Sequence, residues 1–380
     1  MYRKNKNSFD FIRIFAALLV IFSHSYALSA STGPTIGNKT PGEWGVVIFF
    51  IVSGFLLTQS SDFSLRYFWK RGLRILPGLF VVTIITVFIL GPLITSLSIQ
   101  EYFNNKETWR YLLSMGIVFF KLPGVFESNP YPNTINGSLW MLPYLFSCYA
   151  ILYVYGKSGL LNKKCILLIL YIMAFGMLFV HSMILPGIKS IIYTNSSVVN
   201  TVVVSNISPH VDTSIIPFVY AILSYFASLV LSADFWKFYL YFHGGVVLAL
   251  FQNGELFNYK SSVLILFIAF ISVIAPSLTE YCLFLIVPYF VIYFALTVNS
   301  GILNNFGAYG DFSFGMYIYA FPIQQTIAYY LGNNLTILKM QVLSVSITFI
   351  FAVMSWKIIE SHMLKLKNWK SQRDNDLPRI

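Results

Sequence analysis

Apolar runs of roughly 20 residues follow one another along almost the whole chain, and a helix of that length crosses the hydrocarbon core of a bilayer. Eleven such runs are present, near 9–29, 43–60, 73–97, 138–156, 165–184, 214–232, 237–252, 262–277, 281–298, 312–331 and 338–359. Inside lipid, the backbone hydrogen bonds of each run must close within the run itself, which favours helices. The sequence therefore predicts an all-α polytopic integral membrane protein.

The composition excludes a soluble fold. Of the 380 residues, 57% are hydrophobic and 10% are charged, and so few charges do not cover a soluble protein of this length. The net charge of +11 raises the question of nucleic-acid binding. The basic residues, however, cluster in alternate loops, which is typical of retention on the cytoplasmic side of a membrane. We expect the lipid bilayer as a partner, and no nucleic acid.

The basic loops also predict the topology. Basic residues occur before the first run, after the second, after the fourth and in the tail 366–380. Placing all of them in the cytoplasm requires an even number of crossings, so eleven is one too many. We interpret 214–232 as a re-entrant or surface segment of an external insertion at about 185–235. This predicts about ten transmembrane helices in one domain, 1–365, with both termini in the cytoplasm.

The three cysteines show no metal-ligand spacing. Cys148, Cys165 and Cys282 lie in or beside apolar runs. We interpret them as small buried hydrophobes and predict neither a metal site nor a disulfide framework.

The first run carries three ionisable side chains, Asp10, Arg13 and His24, and such residues are costly inside a membrane. Arg13 and His24 are separated by three turns plus roughly 20°, so they share one helix face with a rise of about 16 Å between them. Asp10 precedes Arg13 by three positions and is placed to pair with it. A histidine suits proton transfer near neutral pH. The alternative is an anchoring ion pair, with His24 at the outer interface.

Four further sequence blocks follow in order. They are GVVIFFIVSGFLL (Gly45 to Leu57), RYFWKRGLRILP (Arg66 to Pro77), NGSLWMLPYLFSCY (Asn136 to Tyr149) and GDFSFGMYIYAFPIQQ (Gly310 to Gln325). Together with the Arg13–His24 spacing, these blocks resemble the membrane-bound acyltransferase type 3 family, which includes O-antigen and polysaccharide O-acetyltransferases.

The resemblance implies O-acyl transfer, usually of acetyl, from a cytoplasmic acyl-CoA to a hydroxyl of a glycan or similar acceptor. The alcohol must lose its proton, and the oxyanion must be stabilised. The resemblance assigns His24 as the general base or acyl-handling group and makes Arg13 essential, either for donor phosphates or for developing charge. No cofactor is expected to stay bound, and acetyl-CoA is a co-substrate.

The basic block contains Arg71 and Arg74, three positions apart before the third run. Coenzyme A carries phosphates, which arginine binds bidentately. The resemblance supports donor binding by these two residues, whereas positive-inside anchoring explains the same block without a ligand.

Five other side chains are supporting candidates with a structural alternative. Ser53 lines a substrate pocket or permits helix packing. Glu43 binds the acceptor or is a solvated charge at the outer end of the second run. Ser138 and Trp140 contact substrate, or Trp140 belongs to an interfacial aromatic belt. Asp311 supports the site or caps the helix that follows it.

Two positions depart from the family pattern. Many members carry Glu shortly after Ser-Leu-Trp, where this chain has Leu145, and many carry His in the late block, where it has Ala320. If that Glu assists catalysis in relatives, another group replaces it here or the acceptor differs. The remaining histidines match no motif and are interpreted as structural: His181, His210, His243 and His362.

We therefore expect an O-acetyltransferase of the bacterial inner membrane that modifies a cell-surface glycan or glycolipid, such as O-antigen, capsule or exopolysaccharide. The polar stretches 98–136 and 185–213 are external in this topology and are the expected places for an external substrate to meet the protein. The alternative is a transporter-like protein, or a non-catalytic membrane partner of a polysaccharide assembly system. An intramembrane Arg and His suit a transporter, but no inverted repeat is evident.

Overall fold

The computed structural model describes residues 8–60, 62–119, 121–183, 228–229, 232–251, 257–298 and 301–366. Within these residues the chain is helical and contains no strand beyond one isolated bridge, between Ile36 and Lys39. The helices in chain order are α1 (Phe9–Ala27), α2 (Pro41–Thr58), α3 (Arg66–Ile94), α4 (Ile99–Asn104), α5 (Lys106–Ser114), α6 (Gly137–Lys157), α7 (Lys164–Met183), α8 (Ala233–Leu250), α9 (Tyr259–Ile274), α10 (Thr279–Thr297), α11 (Ser313–Leu331) and α12 (Ile337–Lys365). Short helical turns join several of them.

Six of the described helices are long and apolar enough to cross a membrane: α1, α2, α3, α6, α10 and α12. This confirms the predicted all-α polytopic membrane fold. The helices α7, α8, α9 and α11, of 16 to 20 residues, lie where further spans were predicted. The number of ten crossings stays a prediction. The segment 214–232 and the insertion 185–235 lie largely outside the described residues.

Glycines bring α2 into close contact with its neighbours. Gly54 faces the backbone of α8 at Phe242, and Gly245 of α8 faces the backbone of α2 at Ile51, so that a Cβ atom at either glycine would collide. Gly45 makes the same approach to α1. Small residues are the usual means by which membrane helices pack closely. These contacts place α2 between α1 and α8 in the main apolar core.

Two helices contain a π-helical turn, Thr86–Leu90 in α3 and Trp356–Glu360 in α12. Such a turn inserts an extra residue and rotates the face that the following residues present. Trp356 packs against Gly310, whose φ of +134° is accessible to glycine but strained for other residues. The turn in α12 therefore fixes the backbone immediately before Asp311.

Residues 96–119 and 121–136 form a small folded unit at the end of α3 that includes α4 and α5. Tyr102 is buried there, and its hydroxyl donates to the Val87 carbonyl at 3.1 Å. Its core is shared with the end of α3 and consists of Val87, Ile94, Tyr102, Tyr111, Leu122, Val125, Phe126 and Ile135. The polar stretch predicted for this region is thus folded.

The cysteines divide into two environments. Cys148 and Cys282 are buried, as predicted, but Cys165 is exposed. The prediction of three buried cysteines is wrong for Cys165, because the second residue of α7 faces outward from the bundle. His243 is buried; its Nδ1 accepts from Tyr239 at 2.8 Å and its Nε2 donates to the Leu167 carbonyl at 3.0 Å. These bonds are consistent with the structural role expected of it.

Candidate active site

Two arginines from different helices meet at one carboxylate, Asp311, which lies just before α11. Arg13 of α1 donates from Nη1 to Asp311 Oδ2 at 2.7 Å, and Arg74 of α3 donates to the same oxygen. Arg13 also pairs with Asp10, as the spacing predicted. The Asp311 side chain is 11% exposed. We call Arg13, Arg74 and Asp311 the arginine centre; it ties α1 and α3 to the start of α11.

Asp311 is held in its ionised form. Burial by itself would raise the pKa of Asp311, but Arg74, Arg13 and the Ser313 hydroxyl outweigh it and hold the pKa well below the usual range. Ser313 donates its hydroxyl to Oδ1 at 2.5 Å and its backbone N–H to the same atom at 3.3 Å. The N-cap residue of α11 is nevertheless Phe312. Asp311 thus accepts from an N–H at the start of α11, one position before the N-cap residue, while its other oxygen accepts from the two arginines.

A cavity of about 100 Å³ opens beside the arginine centre, between α1, α2, α3, α6 and α11. It brings together four residues predicted from the sequence: Arg13, Arg71, Arg74 and Ser53. Within the described part of the chain, Nε of Arg13 and Nε of Arg71 are buried and have no hydrogen-bond partner. A buried donor without a partner carries a desolvation cost that a bound anion would remove. The wall is therefore suited to an anionic ligand.

Leu145 lies in the wall of the same cavity, near Tyr149 and Met141. The position at which the family resemblance predicts a carboxylate thus lines the same cavity as the arginines, which no sequence pattern indicated. In this chain the wall is apolar at that point.

His24 lies towards the other end of α1. Its ring is edge-on to Phe321 of α11 at a centroid distance of 5.1 Å. The side chain is partly exposed, and its Nδ1 is buried without a partner among the described residues. Arg13 contacts the start of α11 and His24 contacts its middle, so both lie on the same side of α1. His24 does not line the cavity beside the arginine centre, and the predicted catalytic pair therefore occupies two separate places.

Ser138 lies against α11 between these two places. Its backbone carbonyl accepts from Tyr317, which lines the cavity. The Ser138 hydroxyl is buried, and in the described residues it has no partner. Two residues earlier, Asn136 donates to the Ile318 carbonyl at 2.8 Å, while its Oδ1 is likewise unpaired. Buried polar groups without a partner thus lie along α11 between the cavity and Phe321.

Glu43 and Trp140 have structural contacts and do not line that cavity. Glu43 accepts from the Thr40 N–H at 2.6 Å and forms a capping box at the start of α2. Trp140 packs against Tyr144 and Phe238, at centroid distances of 5.8 and 5.5 Å. A role in substrate binding stays a prediction for both.

Sequence reasoning missed the two glutamines that end the late block. Gln324 of α11 donates to the Ile21 carbonyl at 2.9 Å and so holds α1 near His24. Gln325 donates to the carbonyls of Tyr131 and Thr134, each at 2.7 Å, and anchors the segment before α6. Both side chains are buried. Two adjacent amides in an apolar helix were the available signal, because buried amides require partners.

A second, polar cavity of about 410 Å³ lies one turn beyond His24. The Leu28 N–H, at its edge, donates to the His24 carbonyl at 2.9 Å. Residues 28–30, residues 128–130 and the end of α11 form its walls. We call this the distal cavity.

Comparison with known proteins agrees with the motif blocks. Residues 6–357 match the acyltransferase domain family. The O-acetyl transferase of Shigella phage Sf6 is 26% identical over 379 residues, covering 97% of this chain and 99% of the phage protein. Nodulation protein 10 of Rhizobium leguminosarum bv. viciae is 40% identical over 89 residues, which are 20% of this chain and 23% of that protein. No solved structure matches the chain significantly. Since the family match covers nearly the whole chain, the protein belongs to this acyltransferase family.

Proposed function

We propose that the protein transfers acetyl from acetyl-CoA to a hydroxyl of a cell-surface glycan, such as O-antigen, capsule or exopolysaccharide. In this proposal it lies in the bacterial inner membrane, with both termini and the arginine centre on the cytoplasmic side. The observation that carries the proposal is the cavity wall with three arginines, two of which have unpaired Nε donors. Family membership and the relative named O-acetyl transferase support the class of reaction.

The donor phosphates bind at the arginines. Arg71 and Arg13 offer their unpaired Nε atoms, and the Arg74 side chain remains 30% exposed although it pairs with Asp311. Charge-assisted hydrogen bonds of this kind are roughly twice as strong as neutral ones. The pantetheine arm, a long flexible chain, then carries the thioester along α1 over the rise of about 16 Å that separates Arg13 from His24.

The chemistry requires one proton transfer and one acyl transfer. The acceptor hydroxyl gives its proton to His24, its oxygen bonds to the acetyl carbonyl carbon, and the bond from that carbon to the coenzyme A sulfur breaks. The sulfur leaves as a thiolate, which takes up a proton as free coenzyme A. The unpaired Ser138 hydroxyl is a hydrogen-bond donor of the kind that stabilises a developing oxyanion.

The acceptor binds in the distal cavity, on the external side. Its lining contains serines, an asparagine and backbone groups but no charged side chain, which favours a neutral sugar over an acidic one. Tyr329, 40% exposed, offers an aromatic face at its edge.

Mass spectrometry of cell-surface glycans tests this proposal. Deleting the gene should remove O-acetyl groups from one glycan, and restoring the wild-type gene should return them. The purified protein should in addition move labelled acetyl from acetyl-CoA to that glycan. Unchanged acetylation after deletion would refute the proposed function and favour the transporter or assembly-partner alternative.

A further inference from the structure

Glu360 is an acidic residue that neither the motif blocks nor the family match includes, since the match ends at residue 357. It is 3% exposed, the least of any acidic side chain in the described part of the chain. Within that part no Lys or Arg lies at salt-bridge distance from it. A buried carboxylate is costly unless its surroundings compensate it, so its position calls for an explanation.

The surroundings of Glu360 lead to the arginine centre. Its Oε1 accepts from the Ser355 hydroxyl at 2.7 Å, and Tyr319 of α11 donates to Ser355 at 3.3 Å. The same Oε1 lies 3.3 Å from the point where a Cβ atom at Gly78 would be. Gly78 is one helical turn after Arg74 on α3. Glu360 is thus packed against the helix that carries Arg74, at the level of the next helical turn.

The backbone of α12 is built to point Glu360 inward. Most residues of this helix face away from the rest of the protein. Glu360 is the last residue of the π-helical turn that begins at Trp356. Each residue of a helix advances by about 100°, so the inserted residue turns Glu360 off the exposed face. Turns of π-helix are rare in proteins, and those that occur are frequently found at functional sites.

We propose that Glu360 is a positioning residue for Arg74. Asp311 alone would draw Arg74 fully onto the oxygen that Arg13 already shares. Glu360 of α12 is a second carboxylate and lies beside α3, one turn beyond Arg74. It attracts Arg74 from a different direction and keeps part of the Arg74 guanidinium open to the cavity. The proposal rests on the proposed function, because the anion that Arg74 receives is the donor phosphate.

The direction in which the KM for acetyl-CoA changes distinguishes a positioning role of Glu360 from a purely electrostatic effect of its negative charge on the donor. Glu360→Gln keeps the hydrogen bond from Ser355 but removes the charge. If Glu360 acted only through its negative field, this change would tighten the binding of an anionic donor. If it positions Arg74, the change should raise the KM for acetyl-CoA by about 10-fold, equivalent to losing one charge-assisted hydrogen bond, while the acceptor KM stays unchanged.

The experiment uses the full-length protein in proteoliposomes, with the apparent KM of each substrate and the dissociation constant of coenzyme A as readouts. Ser355→Ala removes the hydrogen bond to Glu360 but keeps the carboxylate. It should raise the KM for acetyl-CoA less than Glu360→Gln does. Glu127→Gln is the matched control, because Glu127 also accepts from a serine, Ser96, at 3.1 Å but lies in the small folded unit at the end of α3. It should leave both constants at the wild-type value.

A lower or unchanged donor KM in Glu360→Gln would overturn the proposal, as would an equal effect of Ser355→Ala. If Glu360→Gln does not accumulate, Glu360→Asp decides: it keeps the charge but withdraws it by one methylene, and an unchanged donor KM would again refute positioning. A wild-type protein without acetyl-CoA-dependent transfer would instead refute the proposed function itself.

Discussion

The arginines beside the cavity differ in how fully their charge is neutralised. Arg13 pairs with two carboxylates, Asp10 and Asp311, and Arg74 shares the second of them. Arg71 has no carboxylate partner among the described residues and lies over the Tyr67 ring, 5.8 Å from its centroid. The least neutralised cation attracts an anion most strongly. We therefore expect Arg71 to contribute most to donor affinity.

Arg71→Ala should raise the apparent KM for acetyl-CoA by about 10- to 100-fold, equivalent to about 1.5–3 kcal/mol for a charge-assisted hydrogen bond. Arg74→Ala should have a smaller effect on donor KM. The matched control is Arg110→Ala, since Arg110 of α5 pairs with Glu107 at 2.6 Å and does not line the cavity. Steady-state kinetics with varied donor and saturating acceptor measure this. An unchanged donor dependence in Arg71→Ala would leave the basic block as a topology anchor.

His24→Ala should lower acetyl transfer by about 10²- to 10⁴-fold, the usual contribution of a positioned general base. The variant should still insert into the membrane at normal abundance, because the His24 side chain is partly exposed and contributes little to core packing. His362→Ala is the matched control, as His362 is exposed and near the end of α12. Wild-type acetylation by His24→Ala would show that the proton is removed elsewhere.

Among the helices, α2 depends most on the absence of side chains at its interfaces. Gly54→Ala places a methyl group against the Phe242 carbonyl, and such overpacking costs about 1–3 kcal/mol. Gly176→Ala is the control, because Gly176 of α7 has open space around its Cα. We expect Gly54→Ala to lower the thermal inactivation temperature in detergent. Gly176→Ala should leave this temperature unchanged. Equal stability of the two variants would contradict the close α2–α8 contact.

The helix positions were largely predictable, because the two ends of a long apolar run mark the approximate ends of a membrane-spanning helix. The start of α3 was the main exception: the structure begins this helix at Arg66, whereas the apolar run begins near 73. Basic residues there are compatible with a helix, but hydropathy alone does not include them. The two π-helical turns were not predictable, because they arise from contacts such as that between Trp356 and Gly310.

The whole molecule brings together residues that the sequence keeps far apart. Asp311 lies 298 positions from Arg13 and 237 from Arg74, and no periodicity in either helix predicts that they meet. The motif resemblance identified all three residues without showing their contact. It did not identify Gln324 as a brace for α1, or Glu360. The sequence therefore predicted most of the site's residue types, while the pairing among them required the fold.

Cysteine labelling tests the topology of the whole chain. A cysteine introduced in 185–213 should react with a membrane-impermeant maleimide in intact cells, because this stretch is predicted to be external. Cys165 provides an internal control, since it is exposed at the start of α7 and should react only after permeabilisation. Cys148 and Cys282 are buried and should stay unlabelled. Labelling of 185–213 only in permeabilised cells would refute the predicted orientation.

The cavity beside the arginine centre and the distal cavity share no wall residue. Leu145 and Met141 line the first of them, and the aromatic ring of Phe321 contacts His24 towards the second. A continuous water-filled channel would dissipate the ion gradients across a membrane. Moving a bare ion through the packed side chains between the two cavities is costly, whereas an acetyl group is small and uncharged. In the proposed function, acetyl passes from the arginine centre to the distal cavity, and the separation of the two cavities would let it cross without opening a path for ions.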